Sequence, residues 1–503
     1  MSTGTWTLPD TLADAIEEAA REHGDHEAYV EGPRRLTFAE WARAADGLAA
    51  VLADRGVRQG DVVALMLPSS VDYAVCYAAT ALLGAVTTGL NTRLGPDETD
   101  SVIAQCRPAL VIRDTDLDLP PLPYGTPVLA RRELAACYRQ PGLGRRRPRG
   151  AATDPAAIIW TSGTTGVPKG AWFDHRGLAA ALITGGVLTA RHDRRLTGTP
   201  FPHAGYMAKL WDQLATGSTI VVSPTPWRAY DMLRQLIDED ITVAGGVPTQ
   251  WAKLLEVPGI DRVRLPRLRL GVSATAPAPP ELVERVARVL GCPLVVRYAM
   301  TESPSITGTD PADPPEVQYR TVGRPQTGVE IAIRDEDGKP LPDGEVGRIH
   351  LKSPCAMRGY WNAPELTAAV LDSDGWLTTG DLGHFTPDGN VTLAGRADDL
   401  YIRGGYNVYP MEVEHVLADH PAVDRVAVVG APAPVIGEIG VVFVVPADPG
   451  RPPTLDELRA LVRGRLSDYK APDRLEVVPE LPLTPLLKTD KRALRALAEG
   501  RRS

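Results

Sequence analysis

The segment Thr161 to Gly170, TSGTTGVPKG, follows directly on the apolar run Ala156-Ala157-Ile158-Ile159-Trp160. A short apolar run bounded by turn residues reads as a buried strand. Behind it, Thr161, Ser162, Gly163, Thr164, Thr165 and Lys169 gather hydroxyls, glycine and a cation in one short loop. Glycine lets backbone N–H groups approach anionic oxygens, hydroxyls add donors, and lysine brings a mobile positive charge. A buried strand feeding a loop of this chemistry points to a polyphosphate ligand. The loop is not a Walker A motif, because Pro168 precedes Lys169 and Gly170 follows it, where that motif has Gly and Ser or Thr.

Around this loop the pattern is αβ. Thr11 with Asp14 opens an amphipathic helix over Leu12 to Ala20, and Leu36 to Leu52 repeats apolar residues at helical spacing. Asp61 to Leu67 reads as a buried strand, with a helix over Val71 to Leu83 behind it. Such alternation predicts parallel sheet covered by helices. The run Gly144 to Gly150, GRRRPRG, reads as a solvated basic linker before the loop. A second boundary falls near Gly395-Arg396-Ala397-Asp398. Beyond it the sequence predicts a helix around Met411 to Ala418 and strands at Val426–Val429 and Val441–Val445. A helix capped by Thr454 and Glu457 and a last helix over Lys491 to Ala498 complete a small α+β unit.

Composition narrows the function. A net charge of -9 argues against general nucleic-acid binding, which needs a basic surface to release counterions. The five cysteines show no metal-ligand spacing and read as buried thiols of a cytoplasmic protein. No signal peptide and no membrane span are visible.

The loop resembles the phosphate-binding signature of the acyl-adenylating superfamily, which includes acyl-CoA synthetases, peptide-synthetase adenylation domains and firefly luciferase. The superfamily's other signatures follow in order across nearly the whole chain. Phe201-Pro202-His203-Ala204-Gly205 is similar to the segment whose histidine sits beside the carboxylate pocket, and no aspartate follows His203 directly to pair with a substrate ammonium. Gly271-Val272-Ser273-Ala274-Thr275 resembles the adenine-binding turn. Tyr298-Ala299-Met300-Thr301-Glu302 resembles the next signature, with Ala299 in place of glycine. By resemblance Tyr298 packs on adenine, Thr301 contacts the α-phosphate and Glu302 binds Mg²⁺, in keeping with the preference of a hard cation for carboxylate oxygen. Asp381, in Trp376-Leu377-Thr378-Thr379-Gly380-Asp381, is implied to accept from the ribose hydroxyls, and Arg396 to reach the same region. Asp398 is implied as the hinge, and Gly404, Gly405 and Tyr406 as the strand that admits the CoA arm. Lys488 stands where the family's catalytic lysine lies, with Leu487 replacing the usual glycine and Lys491 as a nearby second choice.

The resemblance implies an α/β protein with a large, multi-subdomain adenylation domain of αβαβα-type layers over residues 1–395. A hinge at 396–398 and a small mobile α+β domain over 399–503 follow. It implies an ATP-dependent acyl-CoA ligase using ATP, Mg²⁺ and CoA: a carboxylate attacks the α-phosphate, and CoA then takes the acyl group. The pocket walls are expected among His203, Gly205, Tyr206, Lys209, Trp211, Gly245, Gly246, Val247, Pro248 and Met300. The little side-chain bulk at Gly245-Gly246 favours a bulky or hydrophobic acid. Two other readings stand beside this one. An adenylation-only enzyme would hand its acyl group to a carrier protein or partner enzyme, and a non-catalytic sensor would have no use for Lys169, Glu302, Asp381, Arg396 and Lys488 together. The acid itself and the oligomeric state, a homodimer included, are left open.

Overall fold

The structure, a computed structural model, describes residues 9–117, 122, 125–144, 147–161, 168–274, 278–403, 406–434, 436–484 and 488–500. Thr11 accepts the Asp14 N–H and opens the helix Leu12–Glu22. A reciprocal capping box, Thr37 with Glu40, opens Phe38–Asp54. This helix begins two residues later than its apolar periodicity suggests, because Leu36 belongs to the strand Arg34–Thr37.

The strand Val62–Met66 is buried along its whole length, and the helix Val71–Leu82 returns over it. It lies inside a seven-stranded sheet ordered 359–360, 169–174, 155–161, 86–89, 62–66, 110–113 and 128–130. From Pro155–Thr161 to Val128–Ala130 the strands run parallel, as helix-connected strands do. Past the phosphate loop the chain doubles back instead. Lys169–Asp174 pairs antiparallel with Pro155–Thr161, and Thr161 stands opposite Lys169. The loop is thus the connection of an antiparallel pair, with its first threonine and its lysine held together at its base.

A nine-stranded sheet, ordered 324–325, 303–308, 294–300, 270–274, 243–246, 194–196, 219–221, 27–31 and 34–37, is parallel at its centre and antiparallel at both ends. One continuous core joins these sheets and their helices. Trp41, Trp211 and Trp251 are among its largest buried side chains, each contributing about 3 kcal/mol by leaving water.

Two features depart from the sequence reading. The strands at 330–334, 347–352, 377–385 and 391–396 form a four-stranded, wholly antiparallel sheet rather than more parallel sheet. No helix separates most of these strands, so tight connections impose the antiparallel sense. The end of the basic run, Arg147 to Arg149, is also no free linker. Arg147 is ion-paired with Asp46 and Glu17, and the Arg149 carbonyl accepts from Gln59, strapping the run onto the amino-terminal helices.

From Tyr401 onward a five-stranded sheet carries its own cores. Alternation along Gly437–Pro446 sends Val442 and Val444 to one face with Val413 and Leu458, and Val441 and Phe443 to the other with Leu494. Thr454 and Glu457 close the capping box that the sequence announces.

Candidate active site

The edge strand Gly359–Tyr360 pairs with Lys169–Asp174, setting Tyr360 opposite Ala171. From there the Tyr360 hydroxyl donates to Glu302 Oε1 at 2.8 Å, and Lys169 Nζ lies 5.6 Å from the centre of the same ring. Glu302 occupies the turn between Leu294–Met300 and Ser303–Gly308, and its carbonyl accepts the Met357 N–H at 2.7 Å. Tyr360 therefore joins the lysine of the phosphate loop to the proposed metal-binding acid. Its position, in Arg358-Gly359-Tyr360, resembles no signature, and sequence reasoning passed it over.

Tyr298 and Glu302 leave the same strand end in different directions. The Tyr298 hydroxyl donates to Asp381 Oδ2 at 2.6 Å. Burial first, and then the Asp381 charge, hold this phenol well above its ordinary pKa, so it remains a neutral donor. Asp381 and Arg396 are cross-strand partners, with Arg396 Nη1 3.8 Å from Asp381 Oδ1. Gly380 permits this: a Cβ there would lie 2.5 Å from Arg396 Nη2. Arg396 is exposed, so its guanidinium remains open to a ligand's hydroxyls.

Lys488 reaches the same place from the carboxy-terminal sheet. Its backbone is pinned by Thr484, whose N–H donates to the Lys488 carbonyl at 2.7 Å and whose hydroxyl accepts the Lys488 N–H at 3.3 Å. Burial lowers the ammonium's pKa, Arg396 lowers it further, and Asp381 opposes both. The field of Lys488 also falls on His203, whose pKa burial has already pulled down, to about 4 in all. His203 is thus neutral at physiological pH, with Nε2 3.4 Å from Asn91 Nδ2. Asn91 is a second neighbour the sequence reading missed. Lys491 is occupied elsewhere: its Nζ lies 2.7 Å from Glu414 Oε1, which also accepts the Val428 N–H.

The expected acyl walls divide. At Gly245 a Cβ would make ordinary contact with the Leu196 carbonyl at 3.6 Å, whereas at Gly246 it would press on the Trp251 ring at 3.0 Å. Tyr206 lies away from the pocket, in the core: its ring stacks on Phe201 and its hydroxyl bonds Tyr29 at 2.8 Å. Its place is set by tertiary contacts with Phe201 and Tyr29, which the motif alone did not reveal. Val247 caps the helix Pro248–Leu255 and is buried, and Gly205 is exposed. Ser273 carries a buried hydroxyl with no partner among the described residues, and Ala274 ends the same strand. Ala299 and Met300 lie at an irregular step of the strand pairing just before Thr301. Tyr406 is exposed and stacks on Tyr469 at 4.6 Å. Ser162 to Thr165, Thr275, Gly404 and Gly405 lie outside the described residues.

The carboxy-terminal unit is tied to the segment that leads into it and to the helix Pro280–Leu290. The exposed Asp398 accepts from Arg495 Nη2 at 3.0 Å through its carbonyl, and Asp399 accepts from the same nitrogen. Across the interface, the Glu281 carboxyl shares a hydrogen bond with Asp419, which is also ion-paired with Arg465. Burial, then that bond, pushes Glu281 up to about 7, so the shared proton is held below this pH and lost as pH rises through it.

Comparison with known proteins agrees with this geometry. The AMP-binding enzyme family matches residues 16–361, and the AMP-binding enzyme C-terminal domain matches 412–488. A methyl-dioxo-octahydroindenyl-propanoyl:CoA ligase of Rhodococcus jostii is 33% identical, covering 97% of this chain and 98% of its own. A feruloyl-CoA synthase of Amycolatopsis is 34% identical, covering 96% of both chains. Among solved structures, an anthranilate CoA ligase in complex with anthranoyl-AMP superposes with a TM-score of 0.88 at 26% identity, covering 99% of both chains. The chain belongs to the AMP-binding enzyme family, in the acyl-CoA ligase branch of the acyl-adenylating superfamily.

Proposed function

We propose that this AMP-forming acid–CoA ligase activates a bulky, ring-bearing carboxylic acid. A carboxylate oxygen of the acid bonds to the α-phosphorus of ATP, and the bond to pyrophosphate breaks. The thiol sulfur of CoA then bonds to the acyl carbon, AMP leaves, and the thiol proton passes to solvent. The observation that carries this reading is the meeting of the buried Lys488 with His203, Asp381 and Arg396 at one place.

Each residue takes the role that its motif implies by resemblance to the family. Lys169 and the hydroxyls of Thr161 to Thr165 hold the departing pyrophosphate. Ser273, Ala274, Thr275 and the strand Tyr298-Ala299-Met300 receive adenine, Thr301 the α-phosphate, and Asp381 and Arg396 the ribose. Lys488 steadies the charge that develops between the attacking carboxylate and the α-phosphate, and neutral His203 borders the acid. This is catalysis by positioning and fixed charge. Magnesium would be held by Glu302, the acid that stands where the family's metal-binding glutamate lies. Glu302 would fit the ion, because Tyr360 occupies only Oε1 and leaves Oε2 for a hard cation. When bound, the ion would neutralise charge on the departing pyrophosphate.

Residues 1–395 and 399–503 act as two bodies about the segment 396–398. After adenylation the smaller body turns, Lys488 withdraws, and Gly404, Gly405 and Tyr406 come to line the approach of the CoA thiol. Among the described residues no helix is long and apolar enough to cross a membrane.

A panel of acids, read by pyrophosphate release with and without CoA, tests this function. Bicyclic and aryl acids are expected to exceed acetate by about a hundredfold in kcat/KM, with acyl-CoA formed in step with pyrophosphate. Equal or better turnover of acetate overturns the substrate class. Acyl-adenylate that persists in the presence of CoA assigns the acceptor role to another protein.

A further inference from the structure

One short segment grips Glu302 twice. The Met357 N–H donates to the Glu302 carbonyl at 2.7 Å, and a little further on the Tyr360 hydroxyl donates to Glu302 Oε1 at 2.8 Å. Chemistry fixes the direction of the second bond, since an ionised carboxylate only accepts. The segment is itself anchored to the strand that opens at Lys169. Gly359 and Tyr360 stand opposite Trp172 and Ala171 there. The Arg358 N–H donates to the Trp172 carbonyl at 2.9 Å, and the Trp361 N–H to that of Gly170 at 2.7 Å. Arg358 Nε is ion-paired with Asp174 Oδ2 at 2.9 Å, at the far end of the same strand.

A second element holds the backbone of Tyr360. Thr367, on the helix Pro364–Ala368, accepts the Tyr360 N–H at 2.9 Å and donates to the Ala363 carbonyl at 2.9 Å. Gly359 allows this approach, because a Cβ there would lie 2.8 Å from Thr367 Cγ2. The buried Tyr360 is thus tied to the strand of Lys169 through its backbone and to Glu302 through its hydroxyl. The terminal torsion of a glutamate is broad, so its carboxylate plane turns easily unless one oxygen is held. The bond to Oε1 holds it and leaves Oε2 for a cation. The ring of the same residue lies 5.6 Å from Lys169 Nζ, within reach of a cation–π attraction.

We propose that Tyr360 is a positioning residue of the adenylation step. Its hydroxyl orients the Glu302 carboxylate for the metal that accompanies ATP, and its ring steadies Lys169 for the same polyphosphate. This rests on the roles given to Glu302 and Lys169 above. Tyr360 takes no part in the second step, because the pyrophosphate that Lys169 holds has left by then.

The test measures binding without turnover. ATP is titrated calorimetrically into wild type, Tyr360→Phe and Tyr360→Leu with no acid present, once with Mn²⁺ and once with the metal chelated. Tyr360→Phe keeps the ring and loses the hydroxyl, so it should bind Mn²⁺·ATP about tenfold more weakly, as loss of a metal ligand's hydrogen-bond partner costs. Its affinity for metal-free ATP should stay within about twofold of wild type, because the ring beside Lys169 remains. Tyr360→Leu loses both and should also weaken metal-free ATP by about threefold, the scale of one cation–π contact. Both variants should convert supplied acyl-adenylate to thioester at near wild-type rates. Unchanged affinity of Tyr360→Phe for Mn²⁺·ATP overturns the proposal. So does loss of thioester formation in step with loss of Mn²⁺·ATP, which would mark a residue that only holds the fold. Equal weakening of metal-free ATP by the two variants refutes the role of the ring. A wild type that binds ATP no better with Mn²⁺ than without it would instead count against the role of Glu302 itself.

Discussion

Lys488→Ala is expected to lower acyl-adenylate formation about a thousandfold, the scale for removing one preorganised group that faces developing charge. Thioester formation from supplied acyl-adenylate should stay close to wild type. The first expectation follows from position: the Lys488 ammonium is buried within the fields of Arg396, Asp381 and His203. The second follows from the need for Lys488 to leave before the thiol arrives. Lys491→Ala is the control, because its ammonium is spent on Glu414 and its loss should cost stability rather than adenylation. Pyrophosphate release and acyl-CoA formation, measured separately, decide the matter. Equal loss in both half-reactions would contradict a lysine that serves only one of them.

Asp398→Pro should divide the two half-reactions the other way. Proline fixes φ near -65° and limits the residue before it. Asp398 is exposed and is held chiefly through its carbonyl, which proline retains, so the fold should survive. The structure holds Lys488 in the site, and this is the orientation a rigid segment should preserve. Adenylation is expected within a few-fold of wild type, and thioester formation lower by about a hundredfold, as misplacement of a reacting group costs. Asp398→Ala should leave both steps nearly intact. Unchanged rates in the proline variant would refute the hinge.

Legibility in the sequence followed the kind of signal. Where a cap and an apolar period coincide, as at Thr11, Thr454 and the strand Val62–Met66, boundaries fall within a residue or two. The antiparallel sheet at 330–396 was not legible, because its strands are only partly buried and carry mixed residues. Motifs marked Tyr298, Glu302, Asp381 and Arg396, whose chemistry is bound to fixed spacing. Tyr360 and Asn91 escaped because their roles come from strand pairing and tertiary contact, which leave no local pattern. Tyr206 misled in the opposite way, lying inside a signature yet facing the core.

The central claim is that the acid's own carboxylate attacks the α-phosphate of ATP. A heavy-oxygen label in both carboxylate oxygens of the best acid in the panel, followed by mass analysis of the nucleotide and phosphate products, tests it directly. The account predicts one labelled oxygen in AMP and none in pyrophosphate. Formation of ADP, or label in inorganic phosphate with unlabelled AMP, would contradict it.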